Sequence, residues 1–491
     1  LKIKMDHKKS NIILEEYENE FSYKKSKTNL NIEFNRIAFI FFVFLVISII
    51  FSIQLLHLGS LKQVKKVTPV SNIKNYRADI MDRNGNYLAK TVSSIDIGIN
   101  PVEIIDKQKL LINLKLLFPK KNYLEIKKKI DQNKFFYFEK KISLENYEKI
   151  MLLGDKSIVP EEKLARVYPQ KNLFSHIIGQ IDDDNQGISG IEKSFDDRLK
   201  QKKEPLKLTV DTDVQFLVRE QLIKFNTIFR SKGAAAILMN VNNGEIISMV
   251  SYPDFDLNKR EKIVDLDFIN RATKGVYELG SVFKTFTVAA GLDQDLIDVD
   301  TEFLDLPKSI RCAGQPIGEY SDNIPSDLTV EEILIRSGNI GSVRIGQKLE
   351  IDKLKSFLEK VGVLNKIDFD IEEVGEPYPF KWGKCKLATV SFGHGITTTP
   401  LQLAKGYSII TNGGFDIKPT LIKRDKDNIN NKNRIIKEGI SEKLNPILRK
   451  IVTNKEGTAE LANIDGYEVG GKTGTAQKTT LGGYSNLKVN T

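Results

Sequence analysis

Ser281-Val282-Phe283-Lys284 sets a hydroxyl and an amine one helical turn apart. A serine hydroxyl is a poor nucleophile at neutral pH and needs a base in hydrogen-bond reach; a partly desolvated lysine of lowered pKa is such a base. Gly280 permits a tight entry, and the apolar run Val282 to Leu292 predicts a buried helix. Ser281 then sits at its N-terminus, where the helix dipole favours a developing alkoxide, with Lys284 on the same face. Ser-x-x-Lys alone carries little, because Ser22/Lys25, Ser71/Lys74 and Ser485/Lys488 repeat it. A serine cap beside a surface lysine accounts for it as well.

Two further motifs could complete such chemistry. Ser-x-Asn occurs at Ser321-Asp322-Asn323 and at Ser337-Gly338-Asn339. The first lies in a polar, Pro-containing loop and reads as turn chemistry. The second lies between the apolar helical stretches Val330 to Ile335 and Ile340 to Leu349, where a turn on rigid supports can aim both side chains into a cleft. Ser337 and Asn339 are therefore preferred. Lys472-Thr473-Gly474-Thr475 follows Glu468-Val469-Gly470-Gly471, a pattern of small and apolar residues that predicts a strand edging a cleft. There Gly474 would let a substrate backbone approach, and Lys472 with the threonine hydroxyls would hold a carboxylate. An ordinary surface strand reads the same way.

The elements that must position these motifs belong to a folding chain of 491 residues, with 74 Lys and Arg against 64 Asp and Glu, net charge +10. Its mixed charge and ordinary Gly and Pro usage exclude a disordered or collagen-like chain. Cys312 and Cys385 make no disulfide framework, and whether they pair is left open; His7, His57, His176 and His394 lack metal-ligand spacing, so neither metal nor cofactor is expected. The cationic excess is scattered rather than gathered on an aromatic-lined helix, which argues against nucleic acid.

Ile37 to Leu56 carries no charge over twenty residues, enough helix to cross about 30 Å of hydrocarbon. No small-x-small cleavage site follows, so an uncleaved anchor is expected. Lys24, Lys25, Lys27 and Arg36 on one side balance Lys62, Lys65, Lys66 and Lys74 on the other, leaving orientation undecided by charge. Beyond it, Arg77 to Arg83 turns at Asn84-Gly85 into Tyr87 to Val92 as a hairpin, and a Lys-rich, poorly periodic stretch follows. Nothing there pairs a nucleophile with a base. Polar Asp196 to Lys203 reads as a linker; after Leu206, Gly233 to Val241 and Glu245 to Tyr252 form a second hairpin around Asn242-Asn243-Gly244.

Taken in this order, the three motifs resemble the Ser-x-x-Lys, Ser-x-Asn, Lys-Thr-Gly set of penicillin-binding proteins and serine β-lactamases. The resemblance spans roughly residues 70 to 491 and includes Arg77 to Gly85, Arg166-Val167-Tyr168-Pro169, Gly187 to Glu192, Thr209-Val210-Asp211, Ser391 to Ile396 and Thr399-Pro400-Leu401-Gln402. It is closest to class B penicillin-binding proteins, and within them to the division-specific peptidoglycan D,D-transpeptidases. The architecture this implies is α/β multidomain: a cytoplasmic tail (1–36), a single transmembrane helix (37–56), a mixed α+β pedestal of the dimerisation type (57–205), and a transpeptidase domain (206–491) with an antiparallel sheet flanked by helices. The pedestal is too short for a glycosyltransferase domain. In this family further strands and a helix follow the Lys-Thr-Gly strand, whereas Gln477 to Thr491 alone follow here, so a C-terminally truncated domain is expected.

The resemblance implies catalysis by Ser281, Lys284, Ser337 and Lys472, substrate binding by Asn339, Thr473, Gly474 and Thr475, and an oxyanion hole of the Ser281 and Thr475 N–H groups. It implies peptidoglycan stem peptides as substrates, β-lactams as inhibitors, and a bacterial inner-membrane location with a cytoplasmic N-terminus and a periplasmic catalytic part. A septal glycosyltransferase and other division proteins are the implied partners. Leu279 and Val282 depart from the proline and threonine common in relatives, a tolerable change at a helix entry. An elongation-type enzyme, a catalytically silent division scaffold and a β-lactamase or β-lactam sensor domain are the competing readings.

Overall fold

The computed structural model describes residues 27–60, 76–259, 266–423, 433–480 and 483–491. Lys24, Lys25, Lys62, Lys65, Lys66 and Lys74, which flank the expected anchor, lie outside the described residues, as do the Ser22/Lys25 and Ser71/Lys74 pairs. The chain forms two compact units, Leu1–Lys74 and Asn75–Thr491. In the first, helix α1 (Lys27–Ser60) contains Arg36–Leu56, long and apolar enough to cross a membrane, with its side chains exposed.

The second unit begins with a sheet of β1 (Ile80–Met81), β2 (Tyr87–Ile99), β3 (Phe136–Ile142), β4 (Ile158–Val167) and β5 (Leu206–Lys207). β2 is the hub, antiparallel to β1, β3 and β4, while β5 pairs parallel to β1. The first strand of the predicted hairpin is short because the residues around it do other work: Arg77 and Asp82 are buried in polar networks. The Lys-rich stretch supplies helices α2 (Lys107–Leu117), α3 (Tyr123–Asp131) and α4 (Leu144–Met151). Asp106, Asn122 and Ser143 cap them, and Leu110, Leu114, Ile126, Ile130 and Ile150 form with Ile97, Ile99 and Phe138 a small core of their own. Their lysines coat the outer face, which hid the periodicity.

Asp196 to Lys203 is not a linker. Asp196–Gln201 is helix α6, following α5 (Gly190–Ser194); it buries Leu199 and accepts from the Ala78 N–H on the Leu199 carbonyl. Asp196, one of the polar residues that suggested a linker, is a partner of Arg77. Packing also crosses this boundary: Ile80, Leu88, Phe174 and Leu199 share one core with Leu208, Ile246, Met249, Leu401 and Leu421.

Helix α7 (Thr212–Phe229), capped by Asp211, packs on the hairpin of β6 (Ala234–Met239) and β7 (Ile246–Tyr252). A second antiparallel pair joins β10 (Thr475–Thr480) to β11 (Gly483–Asn490). The single antiparallel sheet expected here is therefore broken into separate two-stranded ladders, because no described strand bridges β7 to β10. Between them lies the largest core. Its centre is helix α8 (Phe283–Asp293), whose every residue is buried, surrounded by α9 (Val330–Ile335), α10 (Asn339–Lys360), α11 (Lys384–Val390), α12 (Pro400–Thr411) and α13 (Ile440–Thr453). A hairpin of β8 (Ser309–Cys312) and β9 (Gln315–Gly318) is tied to α11 by a Cys312–Cys385 disulfide, Cα atoms 5.4 Å apart and 73 positions apart in sequence. In the chain-entropy view a loop of that length stabilises the fold by about 4 kcal/mol.

Candidate active site

Ser281 stands in a 3-10 turn, Gly280–Val282, that runs into α8. The turn is held from three directions. Gly280 has φ +65°, and a Cβ there would meet the Thr475 carbonyl at 2.4 Å. The Tyr407 hydroxyl on α12 donates to the Val282 carbonyl at 2.8 Å and accepts from the Thr285 hydroxyl at 3.0 Å. The Thr287 hydroxyl donates to the Ser391 carbonyl at 2.8 Å. The result is a partly exposed hydroxyl on a buried frame, and among the described residues Ser281 Oγ makes no hydrogen bond.

Lys284 is fully buried one turn on. Its Nζ donates to the Ser337 carbonyl, to Ser337 Oγ at 3.1 Å and to Asn339 Oδ1 at 2.7 Å. No hydrogen bond joins it to Ser281. Lys472 Nζ reaches the same Ser337 Oγ at 2.8 Å, so that one hydroxyl stands between two lysine nitrogens. Burial drives the Lys284 amine well below its ordinary value, and the charge of Lys472 pushes it further while Glu319 offsets part of the shift. Burial also brings Lys472 down to about 7. An amine that loses its proton near neutrality can serve as a base.

Ser337 is buried with φ +55°, a left-handed conformation costly for a side-chain-bearing residue. It forms the turn from α9, which opens on a Thr329/Glu332 capping box, to α10. Ser321 lies elsewhere, its hydroxyl accepting the Asn323 N–H at 3.3 Å in a turn whose Asp322 and Asn323 are exposed. The structure thus brings Lys284, Ser337, Asn339 and Lys472 together and leaves the other Ser-x-Asn apart.

The third motif differs from expectation in two respects. The ladder starts at Thr475, so Glu468 to Gly474 precedes it, because no described strand lies alongside that segment; Gly474 and Thr491 exchange two backbone hydrogen bonds at 2.8 Å. Glycine at 474 answers to the protein itself: a Cβ there would lie 2.2 Å from the Leu279 carbonyl. Thr473 Oγ1 donates to Thr458 at 2.7 Å, and exposed Thr475 donates to Asn490 Oδ1 at 3.3 Å. The close packing of Gly474 and Thr475 on Leu279 and Gly280 brings the Thr475 main chain beside the serine turn.

Two contributors escaped the sequence reading. Tyr407 lies far from every motif, and Glu319 sits between a hairpin and a polar loop with nothing to mark it. The Glu319 carboxylate accepts from the Asn339 N–H at 2.6 Å and the Ile340 N–H at 2.9 Å, while the Gly318 carbonyl accepts from Asn339 Nδ2 at 2.8 Å. Among the described residues no group of His, Cys, Asp and Glu has metal-site geometry.

Residues 234–491 match the model of the penicillin binding protein transpeptidase domain, and residues 72–223 that of the penicillin-binding protein dimerisation domain. The chain is 29% identical to "Probable peptidoglycan D,D-transpeptidase FtsI" of Caulobacter vibrioides, over 83% of this chain and 70% of that one. It is 30% identical to "Stage V sporulation protein D" of Bacillus subtilis, with the same coverage. It is 28% identical to "Peptidoglycan D,D-transpeptidase FtsI" of Buchnera aphidicola subsp. Baizongia pistaciae, over 84% and 79%.

Proposed function

The chain belongs to the penicillin-binding protein transpeptidase family, and from that premise we propose that it cross-links peptidoglycan through an acyl-enzyme on Ser281. It is a class B enzyme of the peptidoglycan D,D-transpeptidase kind. The observation that carries the assignment of roles is Ser337 Oγ, held at 3.1 and 2.8 Å from two desolvated lysine nitrogens beside the unbonded Ser281 hydroxyl.

In the first step Lys284, which burial inclines to the neutral form, releases one of its three contacts, turns its lone pair to Ser281 and takes the hydroxyl proton as the serine oxygen attacks the carbonyl carbon of the penultimate D-alanine. The tetrahedral oxyanion is stabilised by the Ser281 and Thr475 N–H groups, donors of a kind worth about 3 kcal/mol each in the transition state. The C–N bond then breaks, and the departing amine of the terminal D-alanine takes a proton from Ser337 Oγ, which Lys284 replaces with the one it took from Ser281 while Lys472 holds the same hydroxyl. In the second step an amine of a neighbouring stem attacks the ester carbonyl, and the proton it loses returns to the serine oxygen. Asn339 holds the substrate amide, and Thr473 and Thr475 take the terminal carboxylate; the Thr458 and Asn490 contacts yield to it. A β-lactam acylates the same serine and stays. Stem-peptide chemistry takes place outside the cytoplasm, which supports an inner-membrane anchor at Arg36–Leu56 with the N-terminus inside. The two FtsI-named relatives support a role in septation alongside a septal glycosyltransferase; depletion producing filaments rather than round cells tests it.

Labelling of the full-length protein with fluorescent penicillin tests the chemistry. Label is expected on wild type and absent from Ser281→Ala; equal labelling of both sinks the serine mechanism.

A further inference from the structure

Helix α10 begins at Asn339 with Gly338 in the capping position and no side chain of its own to satisfy the first N–H groups. Such orphan donors need an acceptor from elsewhere. The Glu319 carboxylate supplies both oxygens, one to Asn339 N at 2.6 Å and one to Ile340 N at 2.9 Å. Twenty positions separate them in sequence, and the contact exists because the β8–β9 hairpin delivers Glu319 to this point. Gly318, one residue earlier, receives Asn339 Nδ2 at 2.8 Å. With its nitrogen engaged there, the Asn339 side chain can only turn Oδ1 toward Lys284, where it accepts at 2.7 Å. Tyr320, one residue later, donates its hydroxyl to the Arg336 carbonyl at 3.0 Å and so secures the other side of the Ser337 turn.

We infer that Glu319 is a positioning residue for the acyl transfer: clamped on the first two N–H groups of α10, it sets the Ser337–Asn339 turn against Lys284 and places its carboxylate behind that turn. The inference rests on the serine acyl-transfer reading given above. It gives the left-handed Ser337 a cause, since a turn pulled from both flanks by residues 318–320 can hold a backbone that would otherwise relax. It also assigns the hairpin a purpose. Cys312 lies beside the turn of that hairpin and is bound to Cys385, so the hairpin that leads into Glu319 is fixed at its tip.

Position and charge predict different consequences, which makes the role separable from simple helix capping. Lys284 is faced by one cation, Lys472, and one anion, Glu319. Removing the negative charge removes the attraction that favours protonated Lys284, so more of the amine is neutral at low pH. Loosening the turn lowers the maximal rate, since small displacements of a catalytic group are costly.

The test is the second-order rate of acylation of the full-length protein by fluorescent penicillin, followed across pH, for wild type, Glu319→Gln and Glu319→Asp, with thermal unfolding of each. Glu319→Gln keeps the size and one acceptor but loses the charge. It is expected to acylate about ten-fold more slowly at its plateau, with the acid limb of its pH profile moved to lower pH. Glu319→Asp keeps the charge, and its acid limb is expected to stay in place. The inference is overturned if Glu319→Gln acylates at the wild-type rate, or if its rate falls only as far as its folded fraction does with the acid limb unmoved. Wild type that takes no label on Ser281 overturns the acyl-transfer reading itself, a result distinct from both.

Discussion

Around Arg77 and around Lys284 the same compact unit buries charge in opposite ways. In the pedestal, Arg77 Nε and Arg166 Nε grip the two oxygens of Glu192 at 2.5 and 2.8 Å, and Arg77 Nη1 holds Asp196 at 2.6 Å. Arg166 also donates to the Ala78 carbonyl at 2.9 Å and to Thr91 at 3.0 Å. Opposite charges and backbone carbonyls offset the desolvation. In the cleft, Lys284 and Lys472 share a serine hydroxyl, and among the described residues neither is in ion-pair contact with a carboxylate. Here Glu319 offsets only part of the desolvation at Lys284, and burial lowers the pKa of both amines. Burial alone would raise the Asp196 carboxyl, but hydrogen bonds from Lys200 and Arg77 outweigh it and hold it below its ordinary value. One arrangement preserves charge and fastens the fold; the other sacrifices charge and stability for a base.

The contrast can be broken experimentally. Lys284→Met removes a buried amine and keeps its volume. It is expected to cut penicillin acylation by about 100-fold or more while leaving the unfolding midpoint unchanged or raised; a midpoint that fell as steeply as the rate would make Lys284 a structural residue. Glu192→Ala leaves two guanidiniums without their shared anion and is expected to cost about 3–5 kcal/mol of stability. Denaturant unfolding measures it, and acylation by the protein that remains folded should continue. A loss below 1 kcal/mol would remove the basis of the comparison.

The pH dependence sharpens it further. Folded Lys472 releases its proton near 7, whereas in the unfolded chain it keeps it to the ordinary lysine range. The unfolded state then binds more protons between those values, so stability rises with pH through that window. Asp196 slopes the same way in an acid window, contributing stability that is lost as pH falls through its depressed folded value. Denaturation midpoints from pH 7 to 9 should climb in wild type and climb less in Lys472→Met; parallel curves would refute the lowered amine. The smallest effect is reserved for the other Ser-x-Asn: Ser321→Ala is expected to change stability by less than about 0.5 kcal/mol and to label with penicillin as wild type does.

The three motifs were legible because each carries local geometry. Ser281 and Lys284 are one turn apart on a run too apolar to be anything but a buried helix, and Ser337-Gly338-Asn339 falls between two helical periods. The hairpins at Asn84-Gly85 and Asn242-Asn243-Gly244 announced themselves by turn chemistry. Asp196 to Lys203 misled because a charge that pairs with a buried arginine looks, in one dimension, like a charge that faces water. The ladder beginning only at Thr475 was equally hidden, since a strand needs a neighbour and pairing is not a property of the segment.

By itself the sequence determined the apolar span, the buried helix beginning beside Ser281 and the order of the three motifs, all of which follow from composition and short-range spacing, and those motifs carry the family resemblance. Tertiary structure alone decided that Lys284 turns to Ser337 and Asn339, that Lys472 arrives at the same hydroxyl from 135 positions away, that Cys312 meets Cys385, and that Glu319 and Tyr407 brace the turns. Lysine is charged by default. What lowers the pKa of these two amines is burial without a carboxylate in contact, and that depends on every element packed nearby.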